Sequence, residues 1–318
     1  MALTVRTLAA RLTQYDGHEA QSIVRLVLAD CFGFSLTDIC CGALDNLSPE
    51  NSMRLDELMR RLEEGEPVQY VTGKAMFCGR EFAVRPGCLI PRPETEELCQ
   101  WIVDETLRYE DEDETLRYED EDETLRYEDE NEDENEDGKI RILDIGTGSG
   151  CIAITLALDI KDSKVTAWDI SSDALAIAKD NADALHADVD FEIRDALNLS
   201  VEKGNSNSLP AGEGWGRASI IVSNPPYICN KESQDMEQNV LGHEPHLALF
   251  VPDDDPLLFY RKIAEYAVQT LTPNGALYFE INPLYVTQLS EMLRRTGFQD
   301  IETRTDAFGK QRMVKATL

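Results

Sequence analysis

Two short segments carry residue types whose spacing can do chemistry. The first is Asn224-Pro225-Pro226-Tyr227, directly after the apolar run Ala218-Ser219-Ile220-Ile221-Val222. Runs rich in Ile and Val form buried strands, so the tetrapeptide stands where a central strand gives out. Prolines lack an N–H and fix φ, so Pro225 and Pro226 make a stiff turn that presents carbonyl oxygens. The Asn224 side-chain oxygen is a further acceptor beside them, and Tyr227 offers a flat apolar face. Acceptors beside an aromatic wall suit a planar NH2 group, either an amide or the exocyclic amine of a base, whose nitrogen must be held and made more nucleophilic. Alone, the tetrapeptide also fits an ordinary Pro-Pro turn after a strand. The second segment decides between these readings.

That segment is Lys139 to Gly150, KIRILDIGTGSG. Ile140, Ile142, Leu143 and Ile145 predict a strand, Gly146-Thr147-Gly148-Ser149-Gly150 a glycine-rich turn, and Cys151 to Leu158 a helix. This is a βα unit of a doubly wound sheet, in which glycines let the backbone approach a ligand at a helix N-terminus. The next strand, Lys164 to Asp169, ends in an acid. An acid about 20 positions past a glycine loop accepts hydrogen bonds from ribose hydroxyls, which makes Asp169 the ribose candidate. Asp195 follows a third strand, Val189 to Arg194. The G-x-G-x-G spacing, with Asp144 two residues before the first glycine, resembles motif I of the class I S-adenosylmethionine-dependent methyltransferases. The resemblance implies S-adenosyl-L-methionine as cofactor, Asp144 orienting its methionine end, and Gly146, Thr147, Gly148, Ser149 and Gly150 passing beneath it. It also implies Asp195 and Ala196 against the adenine and Asn224 at the border of cofactor and substrate. Ala196 departs from the aromatic that many such enzymes carry there.

Further segments narrow the family. Pro67-Val68-Gln69-Tyr70-Val71-Thr72-Gly73 precedes Phe77-Cys78-Gly79-Arg80-Glu81-Phe82-Ala83-Val84, and then comes Leu89-Ile90-Pro91-Arg92-Pro93-Glu94-Thr95-Glu96. Towards the C-terminus stand Glu244-Pro245 with Ala248-Leu249, Phe259-Tyr260-Arg261 and Gly309-Lys310-Gln311-Arg312. With the glycine loop and Asn224-Pro225-Pro226-Tyr227, these closely resemble the peptide chain release factor N5-glutamine methyltransferases over nearly the whole chain apart from residues 104–138. Asn-Pro-Pro-Tyr alone is shared with DNA adenine methyltransferases, whereas the Ile-Pro-Arg-Pro-Glu-Thr-Glu segment is much more specific. The resemblance implies methyl transfer to the side-chain amide nitrogen of the glutamine in the Gly-Gly-Gln motif of bacterial release factors. Asn224, Pro225, Pro226 and Tyr227 would then form the catalytic set, with no metal, and the stretch around Arg92 would shape the pocket. A glutamine methyltransferase of a ribosomal protein and an adenine N6-methyltransferase acting on nucleic acid are the rival readings. A non-catalytic cofactor sensor is a third, and the intact amide clamp argues against it.

Composition bounds the alternatives. The chain has 318 residues, enough for a sizeable core and about two domains. Its net charge is −31, of which residues 104–137 hold −17 (20 acids against three arginines), leaving −14 elsewhere. With no Lys/Arg-rich stripe, direct nucleic-acid binding is not expected, because duplex binding leans on phosphate neutralisation. Eight cysteines without a C-x-x-C pattern speak for free thiols in a reducing cytoplasm. No signal peptide and no membrane span is expected, since no uncharged apolar run reaches the roughly 20 residues that a bilayer requires. His243-Glu244-Pro245-His246 hints at a metal, but Pro245 disturbs a helical H-x-x-H face and a loop role is expected. A monomer is the expected state.

The positioning elements follow from periodicity. Residues 1–73 are expected to form a helical, substrate-binding domain; Leu55, Leu58, Met59 and Leu62 repeat the helical spacing before Gly65. Residues 74–93 predict a β-hairpin linker and residues 94–318 the catalytic domain, entered by a helix over 94–103. The nonapeptide Asp-Glu-Thr-Leu-Arg-Tyr-Glu-Asp-Glu then occurs three times in tandem, at 104–112, 113–121 and 122–130. Its composition resists burial, so 104–138 is expected to be a solvated acidic insert, disordered or partly helical. Beyond it, strands over 139–146, 164–170, 189–194, 218–224, 275–282, 298–306 and 311–317 alternate with helices over 149–159, 172–186, 256–271 and 284–296. A polar loop is expected over 204–216. The fold class is α/β: a doubly wound, seven-stranded methyltransferase sheet, mostly parallel with an antiparallel edge.

Overall fold

The computed structural model describes residues 3–119, 139–199, 217–236 and 238–318. The loop expected at 204–216 and residues 120–138 of the expected acidic insert lie outside the described residues. Helices Val5–Ala9, Gly17–Phe32, Leu36–Cys40, Pro49–Glu63 and Val68–Thr72 form the N-terminal domain. Their starts are fixed locally. The Asp16 carboxylate accepts the N–H groups of His18 and Glu19 at 2.8 and 2.9 Å, and the Ser48 hydroxyl accepts that of Asn51 at 3.1 Å ahead of Pro49. The apolar stripes meet in one core of Leu8, Leu12, Val24, Val27, Leu28, Leu55, Met59 and Leu62, all buried.

Strands β1 (Lys74–Phe77) and β2 (Arg80–Ala83) form the expected hairpin. Its turn is Cys78-Gly79, both at positive φ (46° and 72°), the twist that a two-residue hairpin connection demands. Residues 84–92 then run to the catalytic domain, and the Tyr70 hydroxyl donates to the Cys88 carbonyl at 2.5 Å. The following helix spans Pro93–Glu119, well past the expected end at 103. As far as Thr106 the extension has a physical cause. Glu105 accepts from the Trp101 indole at 3.1 Å and pairs with Arg304 at 3.2 Å and with Lys315, while the Arg304 guanidinium lies 4.1 Å over the Trp101 ring. The Thr106 hydroxyl donates to the Ile102 carbonyl at 2.9 Å. The start of the first repeat copy is therefore packed into the domain, where composition alone predicted a solvated insert.

Seven strands make the main sheet: β3 (Ile140–Ile145), β4 (Ser163–Asp169), β5 (Val189–Ile193), β6 (Ala218–Ser223), β9 (Leu271–Glu280), β10 (Asp300–Thr305) and β11 (Gln311–Thr317). A separate two-stranded ladder pairs β7 (Ile228–Cys229) with β8 (Phe250–Val251). The main order is β10-β11-β9-β6-β3-β4-β5. β9, β6, β3, β4 and β5 run parallel, whereas β11 pairs antiparallel with both β9 and β10. Successive residues alternate faces. Ile142, Val222 and Tyr278 pack under Leu98, Ile102, Ile152 and Leu156 on one side. Leu143, Ile221, Leu277 and Phe279 pack under Tyr260, Ile263, Leu289 and Leu293 on the other. Burial on both faces is why these strands read as nearly continuous apolar runs. Strand order reverses between β3 and β6, so the glycine loop and the Asn-Pro-Pro-Tyr turn leave the same sheet edge side by side, at the switch point where such sheets bind ligands. No helix among the described residues is long and apolar enough to cross a membrane.

Candidate active site

The glycine loop connects β3 to the helix Cys151–Asp159. Gly146, Gly148 and Gly150 all take positive φ, at 80°, 57° and 81°. Their surroundings differ. A Cβ on Gly146 or Gly148 would meet nothing within 4 Å, whereas one on Gly150 would lie 2.9 Å from Ile154 Cδ1 and 3.0 Å from Ala178 Cβ. The first two glycines face open space, and the third lets two helices approach. Asp169, at the end of β4, secures the loop: its Oδ2 accepts the Gly148 N–H and its Oδ1 the Ser171 N–H, both at 2.9 Å. Burial raises the Asp169 pKa, and those N–H groups oppose the rise. Each carboxylate oxygen keeps a second lone pair for a ligand hydroxyl.

A cavity of about 240 Å³ opens beside this loop. Gly146, Gly148, Asp169, Asp195, Ala196, Asn224, Pro225 and Pro226 line it, so eight of the expected residues are brought to one cleft. Cys88 and Leu89 from the linker and Phe259 close it. Asp195 is held by the Leu197 N–H at 2.9 Å and by the Asn198 amide. Asp144, Thr147, Ser149 and Gly150 are not on the wall; the first three are buried beneath the loop. Burial lifts the Asp144 pKa to about 7. Thr147 and the Ala153 N–H face the carboxyl and lower it in part, yet neither reaches hydrogen-bonding geometry. Orphaned polar atoms at Asp144, Thr147 and Ser149, together with the open space over Gly146 and Gly148, fit a polar ligand seated on this loop.

The other wall is the Asn-Pro-Pro-Tyr turn. The Ser223 hydroxyl ties its base to the Ile145 carbonyl at 2.5 Å. Asn224 Nδ2 donates to Glu280 Oε2 at 2.9 Å and to Thr95 Oγ1 at 3.2 Å. The Thr95 hydroxyl itself donates to Glu280 Oε2 at 2.6 Å, and the Tyr227 hydroxyl to Glu280 Oε1 at 2.9 Å. Glu280, at the end of β9, is 2 % exposed. Burial raises its pKa, and the Thr95 and Tyr227 hydroxyls oppose the rise. Tyr227 is turned inward by this bond and does not line the cavity, which departs from the flat wall expected of it. Its carbonyl accepts from Asn282 Nδ2 at 3.0 Å, which steadies the turn from β9 as well.

Sequence reasoning did not single out Glu280 or Thr95 as its partner, and it named Glu244 only within a family segment and a rejected metal pattern. Glu244 is almost wholly buried and takes the Ile90 N–H at 3.2 Å and the Arg92 guanidinium, fastening the linker over the cleft. A lone acid closing the apolar run Ala276-Leu277-Tyr278-Phe279 was the available signal for Glu280. Where a loop was expected, His243 ends the short helix Gln238–His243 and His246 opens the next, His246–Leu249, with its Nε2 3.2 Å from the Leu241 carbonyl oxygen.

Known proteins resemble this chain over nearly its full length. A family described as the PrmC N-terminal domain matches residues 4–73, and one described as a methyltransferase domain matches residues 142–208. A release factor glutamine methyltransferase of Bacteroides thetaiotaomicron is 42% identical over 302 residues, covering 95% of this chain and 94% of that protein. The enzymes of the same name from Flavobacterium psychrophilum and Bacillus subtilis are 36% and 32% identical, each over 95% of this chain and covering 93% and 92% of their own lengths. The chain belongs to the release factor glutamine methyltransferase family.

Proposed function

We propose that the protein transfers a methyl group from S-adenosyl-L-methionine to the side-chain amide nitrogen (N5) of the glutamine in the Gly-Gly-Gln motif of a peptide chain release factor. The observation that carries the reading is the setting of Asn224. Its amide NH2 is turned inward to Glu280 and Thr95, at the wall of the cleft that Gly146, Gly148 and Asp169 also line.

Asp169 would hold the ribose hydroxyls, Gly146 and Gly148 would let the methionine portion approach the backbone, and Asp195 and Ala196 would border the adenine. Bound there, S-adenosyl-L-methionine supplies an electrophilic methyl group on a sulfonium. An amide nitrogen is a poor nucleophile because its lone pair is delocalised into the carbonyl. The Asn224 side-chain oxygen and the Pro225 carbonyl each accept one N–H of the incoming glutamine. Those bonds strengthen as positive charge builds on nitrogen, the preorganised electrostatic effect that dominates many active sites. The rigid Pro225-Pro226 turn would hold the nitrogen in line for attack; the S–CH3 bond would break as the N–CH3 bond forms, releasing a neutral thioether, and the methylated nitrogen would give its surplus proton to solvent. Glu280 already accepts from three donors behind the wall and is not assigned as a base. We assign the N-terminal domain to docking of the protein substrate, and expect a cytoplasmic monomer that does not bind nucleic acid directly.

The test is methyl transfer from labelled S-adenosyl-L-methionine to purified bacterial release factor, to its Gly-Gly-Gln glutamine→alanine form, and to duplex DNA. Label in the wild-type factor alone is expected; label in DNA, or none in the factor, sinks the reading. Asn224→Ala should lower turnover by about 10²–10³-fold, the scale of losing one preorganised transition-state contact. Its cofactor affinity should stay close to that of the parent.

A further inference from the structure

Glu280 does not itself line the cleft, yet it dictates which atom Asn224 presents there. The ends of an asparagine amide are opposite in character, one a donor and the other an acceptor, and they exchange by a half-turn. Here the chemistry of the neighbours fixes the choice. Nδ2 lies 2.9 Å from Glu280 Oε2 and 3.2 Å from Thr95 Oγ1. Thr95 has already given its one hydroxyl proton to the same carboxylate oxygen at 2.6 Å. An amide turned the other way would set its oxygen against an oxygen of a carboxylate and against a hydroxyl with no proton left to offer. The second carboxylate oxygen is occupied by the Tyr227 hydroxyl at 2.9 Å, and the Tyr260 hydroxyl holds the Glu280 backbone carbonyl at 3.1 Å. The carboxylate is therefore fixed from both sides.

We infer that Glu280 is the positioning residue that makes the site selective for a carboxamide over a carboxylate. By holding Asn224 Nδ2 inward, it leaves Asn224 Oδ1 as the remaining end of the amide, in a turn whose Asn224 and Pro225 both line the cleft. A wall of acceptors binds an NH2 group with both hydrogens satisfied. It repels a glutamate side chain in the same place, whose oxygens would face oxygens. Sites built to meet one hydrogen-bonding pattern reject the mismatched isostere because buried polar groups are left unpaired. The inference rests on the glutamine methyltransferase reading and names the residue that sets its selectivity.

The experiment compares Glu280→Met, Glu280→Gln and Glu280→Asp with the wild-type protein. Each is assayed for methyl transfer to release factor and for binding of release factor carrying the native glutamine or a glutamine→glutamate change. In Glu280→Met the Thr95 hydroxyl is free to donate or to accept, so Asn224 loses its fixed orientation. Transfer should fall at least a hundredfold, KM for the cofactor should stay within threefold, and the preference for the glutamine over the glutamate form should shrink at least tenfold. Glu280→Gln can keep its carbonyl on Thr95 and Asn224 and turn its NH2 to the Tyr227 oxygen. It should retain the preference and rescue most of the rate. Should Glu280→Met fail to fold, Glu280→Asp decides, because it withdraws the acceptor by one methylene while keeping the charge; it should narrow the preference. A folded Met or Asp variant with the wild-type preference overturns the inference. A wild-type protein that does not methylate release factor overturns the functional reading instead.

Discussion

Asn224 is an acceptor at the cleft because Glu280 has taken its donor end, and Asp144 likewise has its chemistry set by what surrounds it. The Asp144 carboxyl is fully buried with both oxygens unpaired, and burial lifts its pKa to about 7. An unfolded aspartate titrates near 3.9. Between those values the folded chain binds the proton and the unfolded chain does not, so stability falls as pH rises through that window and the whole penalty stands above it. Asp144→Asn removes the titration. The variant's stability advantage over wild type, both without cofactor, should be roughly 2–3 kcal/mol larger at pH 8 than at pH 5. Melting curves at the two pH values measure it, and an equal gap at both would show that Asp144 is not the buried acid described. At this scale the motifs placed some residues and not others: Asp144, Thr147, Ser149 and Gly150 of the glycine-loop motif lie off the cavity wall. Asp169, Asn224 and Pro225 reached the cleft as expected. Glu280 was hidden because an acid that ends a strand reads equally well as a solvated terminus. Tyr227 was misplaced because sequence gives an aromatic ring but not the partner of its hydroxyl.

At the scale of elements, the loop between β3 and its helix does two jobs with glycines of identical appearance. Both Gly148 and Gly150 have positive φ, where a side chain costs about 1–2 kcal/mol. Gly150→Ala adds a clash with Ile154 and Ala178, because the new Cβ would sit 2.9 Å and 3.0 Å from their side chains. Overpacking of this kind costs a further 1–3 kcal/mol or about that. Gly148→Ala meets only open space on the cavity wall. Without cofactor, the Gly150 variant should therefore melt well below the Gly148 variant. The Gly148 variant should lose cofactor affinity out of proportion to its stability. Thermal melting and cofactor titration of the two proteins check this, and a reversed order of melting would contradict the packing described. The strands of the main sheet were legible because period-two burial on both faces writes long apolar runs. The end of the helix Pro93–Glu119 was not. Glu105 and Thr106 read as part of an acidic array, and Glu105 is held by Arg304 and Lys315, about two hundred residues away in sequence.

For the whole molecule, charge and repetition raise the question of how much of the chain the cleft requires. Among the described side chains of the first repeat copy, Glu105 and Thr106 make packed contacts, with Trp101 before them. Residues 113–130 comprise the second and third copies, each an exact duplicate of 104–112. Deleting them removes ten acids and two arginines and changes the net charge from −31 to −23, while Glu105 keeps Arg304 and Lys315. None of the residues that build the cleft, the Glu280 circuit or the Glu244 fastening of the linker falls in the deleted stretch. Like-charge blocks repel one another and add little stability. The shortened protein should therefore melt within about 2 °C of the parent, a shift corresponding to about 1 kcal/mol for a chain of this length. Its kcat/KM for release factor at moderate ionic strength should be unchanged within twofold. Charge acts over distances that salt sets, about 10 Å at 0.1 M, so any difference should appear only at low salt and vanish as salt is raised. A loss of several degrees, or a rate defect that persists at high salt, would mean that the second and third copies are part of the folded enzyme.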